Sequence, residues 1–304
     1  MKKMRKFSYL AAAVVVFISL AFVVFYFTNG GPKPNAPLLN VIAIGDSLTE
    51  GTSGDTWVVS LKNKINNDPQ TSFAFRFVGT QKSRKGGVTV RHEGYGGWYI
   101  ETSNFSGTSG RSGIRDNLTS RGGVIAPQNA DIVILLIGIN DVLGLSDGGS
   151  TVADTGEIVN DLGTLIDEIV DLAPEATVFV STLLPLSDGG LFGLTDGTYG
   201  DANQHVDAVN GQLLLDFFGG RWLGDDTEND AYALHHVHEN VFLLNTHLAI
   251  DGGPSSKDIS PDGVHLTEQG NRNLGNWYAD RLAFLLADTA EERDALGPAA
   301  SPLR

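Results

Sequence analysis

The 304-residue chain contains no cysteine. That absence excludes disulfides, thiolate metal sites, a cysteine nucleophile and a lipid-bearing cysteine, and it permits an oxidising compartment without requiring one. Positive charge is scarce as well. Lys and Arg number 21 against 36 Asp and Glu, a formal net charge of −15. So acidic a chain makes nucleic acid an improbable partner, and an anionic lipid surface would repel its body. There is no internal repeat, P-loop or dinucleotide fingerprint, and the Gly-x-Ser-x-Gly elbow of lipase-type hydrolases is missing.

The basic residues that do occur are unevenly placed. Lys2, Lys3, Arg5 and Lys6 precede an apolar run from Leu10 to Phe27 broken only by Ser19 and Tyr26. The run is long enough to cross a hydrocarbon core, and its basic flank sets the N-terminus on the cytoplasmic side. It ends in Phe-Tyr-Phe-Thr-Asn-Gly-Gly rather than in small residues at a cleavage spacing, which favours an uncleaved anchor over a signal peptide. Residues 1–30 are thus expected to form an anchor or signal segment and 31–37, Gly-Pro-Lys-Pro-Asn-Ala-Pro, a linker. The body is then extracytoplasmic and touches the membrane only through the N-terminal helix. Residues 288–304 lose apolar periodicity and are expected to fray.

Between linker and tail, short β-branched runs alternate with longer amphipathic stretches, the pattern of an α/β domain spanning 38–287. Strands are expected at Val41–Ile44, Phe73–Val78, Ile132–Ile137, Thr177–Thr182 and Val241–Leu244, each apolar enough to be covered on both faces of a parallel sheet. Helical spacing marks Trp57–Asn67, Ala153–Leu172, Asp201–Phe218 and Leu266–Leu286, joined by right-handed crossovers. The polar, glycine-rich stretches Thr80–Arg121, Leu183–Gly200 and much of Gly219–Asn240 are expected to be loops that build a site.

Four short blocks carry the candidate chemistry. Gly45-Asp46-Ser47-Leu48 follows the first strand and sets a hydroxyl where open α/β sheets bind ligands, although serine there is equally a helix cap. Gly94-Tyr95-Gly96-Gly97-Trp98 follows the second, where glycine either lets a backbone N–H approach a substrate oxygen or simply makes a flexible turn. Gly138-Ile139-Asn140-Asp141 ends the third; its asparagine either donates into the same pocket or forms a turn. Asp262-Gly263-Val264-His265 precedes the last helix. Its spacing lets a carboxylate fold back onto imidazole Nδ1–H while Nε2 faces a serine, unless Asp262 is a cap.

In this order the blocks resemble those of the SGNH (GDSL-type) hydrolases, which carry Ser, Gly, Asn and His. The resemblance implies a three-layer α/β/α sandwich around a five-stranded parallel, doubly wound, flavodoxin-like sheet. It implies Ser47 as nucleophile, His265 as general base and acid, and Asp262 as orienting carboxylate. The oxyanion hole would combine the Ser47 N–H, the Gly97 N–H and the Asn140 amide. A serine often precedes the family's glycine where this chain has Gly96, so the choice between Gly96 and Gly97 stays open.

The stretch from Phe77 to Thr80, with His92 to Trp98, is similar to the family-three carbohydrate acetyl esterases. That similarity implies a serine esterase acting on acetyl esters of a polysaccharide, with Tyr95, Trp98 and Tyr99 either sugar contacts or ordinary core residues; the wider SGNH resemblance has Asp46 shaping the site's first turn, and Asp46 is also a candidate substrate contact. A lysophospholipase or thioesterase, and a non-catalytic carbohydrate-binding protein of the same fold, are the alternatives. His92 and Glu93 either line the pocket or sit on the surface. No metal or organic cofactor is expected. His235, His236 and His238 lack a convergent carboxylate, and Asp225–Asp230 lacks EF-hand spacing.

Overall fold

The computed structural model describes residues 36–51, 55–102, 112–119, 122–146, 155–187, 196–217, 231–233, 238, 240–252 and 256–287. The expected anchor, linker and tail, His235, His236 and the Asp225–Asp230 run lie outside the described residues, apart from Ala36 and Pro37 at the linker's end. Among the described residues no helix is long and apolar enough to cross a membrane.

The chain enters through β1 (Leu38–Gly45), whose second half is wholly buried, and passes into the one-turn helix α1 (Ser47–Glu50). Helix α2 (Trp57–Asn67) starts at Thr56, whose hydroxyl accepts the Val58 N–H. It leads to β2 (Ala74–Val78) and to the hairpin of β3 (Gln81–Lys85) and β4 (Val88–Gly94). Next come β5 (Ile132–Leu136), α3 (Ile139–Ser146), α4 (Thr155–Leu172), β6 (Thr177–Ser181) and α5 (Asp196–Gln212), which continues as a π-helical turn to Phe217. Strands β7 (Ala231–Ala233) and β8 (Val241–Leu244), then α6 (Glu268–Leu285), complete it.

Five parallel strands run in the order β2-β1-β5-β6-β8, the doubly wound arrangement expected. Every residue of β5 is buried because helices cover both faces. On one side α2 packs against α6, with the rings of Trp57 and Tyr278 4.6 Å apart; α3, α4 and α5 form a second packed group.

Three further strands extend the five. β7 lies antiparallel on β8 at one edge. The stretch from Thr80, expected to be loop, is corrected: it contains β3 and β4, paired antiparallel across Gly86-Gly87. Both glycines have positive φ, 57° and 83°, as a two-residue type I′ hairpin turn demands. β4 also pairs with β1, where it takes over the edge that β2 occupies lower down.

That takeover positions the site. Gly45 is in register with Gly94 on one side and Leu136 on the other, so three strands end level. Ser47, the Tyr95–Trp98 turn and Asn140 therefore emerge at one rim of the sheet.

Candidate active site

Asp46 opens the site but does not line it. It is completely buried, and its Oδ1 accepts the Leu48 N–H at 2.9 Å, so the cap of α1 is Asp46 and not Ser47. Burial, the hydrogen bond from Leu48 and the charge of nearby Asp141 act on this carboxyl; burial dominates and raises it to about 7. The expectation that Asp46 touches substrate is corrected: the side chain is buried and caps α1.

With the cap supplied by its neighbour, Ser47 is a partly exposed residue whose hydroxyl lies 2.9 Å from Nε2 of His265. The other ring nitrogen, Nδ1, is 2.8 Å from Oδ2 of Asp262. A carboxylate only accepts, so Nδ1 carries the proton and Nε2 is left as acceptor for the serine O–H. Asp262 in turn receives the backbone N–H groups of Val264 and His265 at Oδ1, both at 2.9 Å. Burial disfavours its charge, but the Val264 N–H, the Ser260 hydroxyl and the His265 N–H groups together outweigh burial and hold the carboxyl below its usual range. The cap of α6 is Thr267, whose hydroxyl accepts the Gly270 N–H, which leaves Asp262 to the imidazole.

The turn after β4 faces this relay. The Trp98 N–H donates to Tyr95 O at 3.2 Å, and Gly97 at the third position has φ of 75°, the left-handed value a type II turn requires there. Gly96 lies over the serine: a Cβ on it would stand 3.9 Å from Ser47 Cβ and 2.6 Å from Glu50 Oε2. The Asn140 amide donates to Trp98 O at 2.8 Å, which ties α3 to the turn. Asp141, next in sequence, takes the Ile100 N–H at 3.3 Å.

The candidate aromatic contacts separate into two kinds. Tyr95 and Trp98 stack at 4.0 Å and 12° and are both partly exposed. Tyr99 is buried, with its ring against Gly144, and belongs to the core.

His92 and Glu93, whose place the sequence left open, are both buried. Glu93 Oε2 accepts the Tyr95 hydroxyl at 2.6 Å and the Thr80 hydroxyl at 2.8 Å, which anchors the aromatic pair. His92 Nδ1 accepts the Gly94 N–H at 3.0 Å, so Nε2 bears the proton and donates to Ser83 Oγ at 2.9 Å. Ser83 then donates to Glu50 O at 3.1 Å, joining the hairpin to the end of α1. Burial lowers His92 to about 4, so the ring is neutral near pH 7. The signal for these roles is the two-residue alternation that puts Val90 and His92 on one inward face of β4. Among the described residues no group of His, Asp and Glu side chains could hold a metal ion.

Residues 43–272 match the profile of the GDSL-like lipase/acylhydrolase family. No curated protein matches the chain. Among the solved structures that resemble it across nearly their whole length are three carbohydrate esterases. The family 3 carbohydrate esterase of Clostridium thermocellum is 21% identical, with 86% of this chain and 100% of that one covered and a TM-score of 0.50. The carbohydrate esterase family 3 protein of Talaromyces cellulolyticus is 18% identical, with 83% and 100% covered and a TM-score of 0.53. A carbohydrate acetylesterase from Sinorhizobium meliloti is 17% identical, with 81% and 99% covered and a TM-score of 0.51. At these identities the three structures bear on fold alone.

Proposed function

The chain belongs to the GDSL-like lipase/acylhydrolase family and is an esterase, and from that premise we propose that it cleaves short acyl esters, chiefly acetyl esters of a polysaccharide, through a Ser47-His265-Asp262 triad. The observation that carries this reading is the unbroken relay of 2.8 and 2.9 Å from carboxylate through imidazole to serine.

A serine hydroxyl is a weak nucleophile at neutral pH. As Ser47 Oγ attacks the ester carbonyl, its proton passes to His265 Nε2, and ionised Asp262 stabilises the imidazolium through Nδ1–H. The tetrahedral oxyanion that forms is held by the Ser47 and Gly97 N–H groups and by the Asn140 amide hydrogen not engaged with Trp98. His265 then protonates the departing alcohol, leaving acyl-Ser47. Water, deprotonated by the same imidazole, attacks the acyl carbonyl, and the proton returns to Ser47 as the acid leaves. These steps balance in protons without a cofactor.

The polysaccharide reading is supported by the rigid Tyr95–Trp98 pair beside Gly96, since flat rings suit the C–H faces of sugars, and by the carbohydrate esterases among the similar structures. The basic flank and apolar run of residues 2–27 support an extracytoplasmic body held by an N-terminal anchor.

The test is to incubate the purified full chain in detergent with acetylated xylan, acetylated peptidoglycan and 4-nitrophenyl esters of two-carbon and eight-carbon acids, beside Ser47→Ala. Acetate release from one polymer, with loss of all hydrolysis in Ser47→Ala, is expected. Preference for the eight-carbon ester would move the assignment to lipid acyl chains, and an active Ser47→Ala protein would overturn the mechanism.

A further inference from the structure

Past the carboxyl ends of β6 and β8 lies a cleft of about 620 Å³ that the triad does not occupy. Pro185, Ile250 and Leu248 give it an apolar side; Asp207, His247 and Asp251 give it a polar one. Its size is that of small-molecule sites, and so is its mixture of apolar surface with a few polar groups.

The walls are held firmly. Asn203 on α5 accepts the Leu186 N–H at 3.0 Å and donates to Leu186 O at 3.3 Å. The His247 N–H donates to Thr182 Oγ1 at 3.0 Å, while its Nδ1 lies 3.2 Å from Leu183 O, so the ring is fixed with Nε2 4.0 Å from Asp207 Oδ1. Asp207 and Leu248 at the mouth are largely exposed.

Both walls are also joined to the loop that carries the triad's histidine. The Ser187 N–H donates to Gly263 O at 2.9 Å, inside the turn between Asp262 and His265. The Asp251 N–H donates to Asp258 Oδ2 at 3.1 Å, and Asp258 O accepts the Thr267 N–H that closes the same loop. Cleft and triad are therefore linked by hydrogen bonds through Gly263 and Asp258.

The lining selects its occupant. Two carboxylates disfavour an anion such as a phosphate or a uronate. No Trp, Tyr or Phe among the described residues lines the cleft, so a quaternary ammonium group has no aromatic cage. Hydroxyl groups, by contrast, donate well to carboxylates, while Pro185, Leu248 and Ile250 offer surface for C–H faces.

We propose that this cleft is a subsite for a neutral polyhydroxy chain, the carbohydrate portion of the ester remote from the reacting acyl group. The proposal rests on the reading of Ser47 as nucleophile of a carbohydrate esterase, and its test separates the two.

Calorimetric titration of the full-chain Ser47→Ala protein with xylohexaose, cellohexaose and chitohexaose measures binding without turnover. At least one saccharide is expected to bind, and adding Asp207→Ala with Leu248→Trp, which empties one polar contact and fills the mouth, should weaken it about tenfold or more. In the Ser47 background of the wild type, the same pair should lower kcat/KM on acetylated xylan at least about tenfold more than on 4-nitrophenyl acetate. Absence of binding by all three saccharides, unchanged affinity in the paired variant, tighter binding of choline or inorganic phosphate than of any saccharide, or equal losses on polymer and aryl ester would each overturn the proposal. Both side chains are exposed, and a melting curve checks that the paired variant is folded. Failure of the Ser47 reading appears separately, as aryl-ester hydrolysis retained by Ser47→Ala.

Discussion

An aspartate at position 262 does two things that an asparagine there can only half reproduce. The single side-chain oxygen of the amide could still accept the Val264 and His265 N–H groups that now reach Oδ1, so the loop should keep its shape. Toward the imidazole, however, the amide would present an N–H where Oδ2 now accepts. The ring would then take the tautomer with its proton on Nε2, facing Ser47, where it cannot receive another. Asp262→Asn is accordingly expected to lower kcat by a factor on the order of 10⁴ with little change in melting temperature; an ester-hydrolysis assay beside a thermal melt checks this, and a loss smaller than about tenfold would remove Asp262 from the orienting role. The residue types of the four blocks were legible in the sequence because three strand ends offer a hydroxyl, a glycine and an amide, and the loop before the last helix offers an imidazole three residues after a carboxylate. Which residue caps which helix was not. The sequence offered Ser47 as a cap for α1 and Asp262 as a cap for α6; the N–H partners give those places to Asp46 and Thr267. Burial was equally hidden: residue type alone makes Asp46 and Tyr99 plausible substrate contacts, although both lie inside the fold.

The β3–β4 hairpin shows why one element escaped the sequence while its neighbours did not. β1 and β5 are continuous apolar runs because helices cover them, whereas β3 reads Gln-Lys-Ser-Arg-Lys and has only Ser83 buried. Composition made it resemble loop; the Gly86-Gly87 pair between two alternating segments was the signal that it was not. The single inward side chain of β3 is the one that matters for the site. Ser83 Oγ receives the His92 ring proton and passes its own to Glu50 O, so it couples the hairpin to the helix that starts at Ser47. Removing it leaves a buried imidazole N–H without its acceptor and a carbonyl without its donor. Ser83→Ala is expected to destabilise the protein by about 1–3 kcal/mol, measured by urea unfolding at neutral pH, while Ser83→Thr, which keeps the hydroxyl, should recover part of the loss. Equal stability of Ser83→Ala and the wild type would show that the link is not formed in solution.

Over the whole molecule, two buried groups beside the site pull stability in opposite directions as pH changes. His92 falls from an ordinary 6.5 to about 4 because burial disfavours its cation. Between those values the unfolded chain binds a proton that the folded one does not, so stability rises with pH and is lost on acidification. Asp46 rises from 3.8 to about 7, through burial first and also through the charge of Asp141. Between those values the folded chain holds the extra proton, so this contribution falls as pH rises. From roughly pH 5 to 6 the two slopes, each about 1.4 kcal/mol per pH unit, cancel. Asp262, held below its ordinary 3.8, acts at lower pH, where the stability it gives is lost as its carboxylate is protonated. Taken singly, the two substitutions should expose the hidden slopes. Relative to wild type, His92→Gln should lose stability as pH rises through this window, and Asp46→Asn, whose side-chain oxygen still accepts the Leu48 N–H, should gain it. Urea midpoints taken at several pH values in the window measure both, and any constant offset from packing drops out because only the slope is compared. Variant curves running parallel to wild type would mean that neither group carries the proton difference. A parallel curve for Asp46→Asn alone would mean that Asp46 is ionised in the fold and that its orphaned Oδ2 has found a partner.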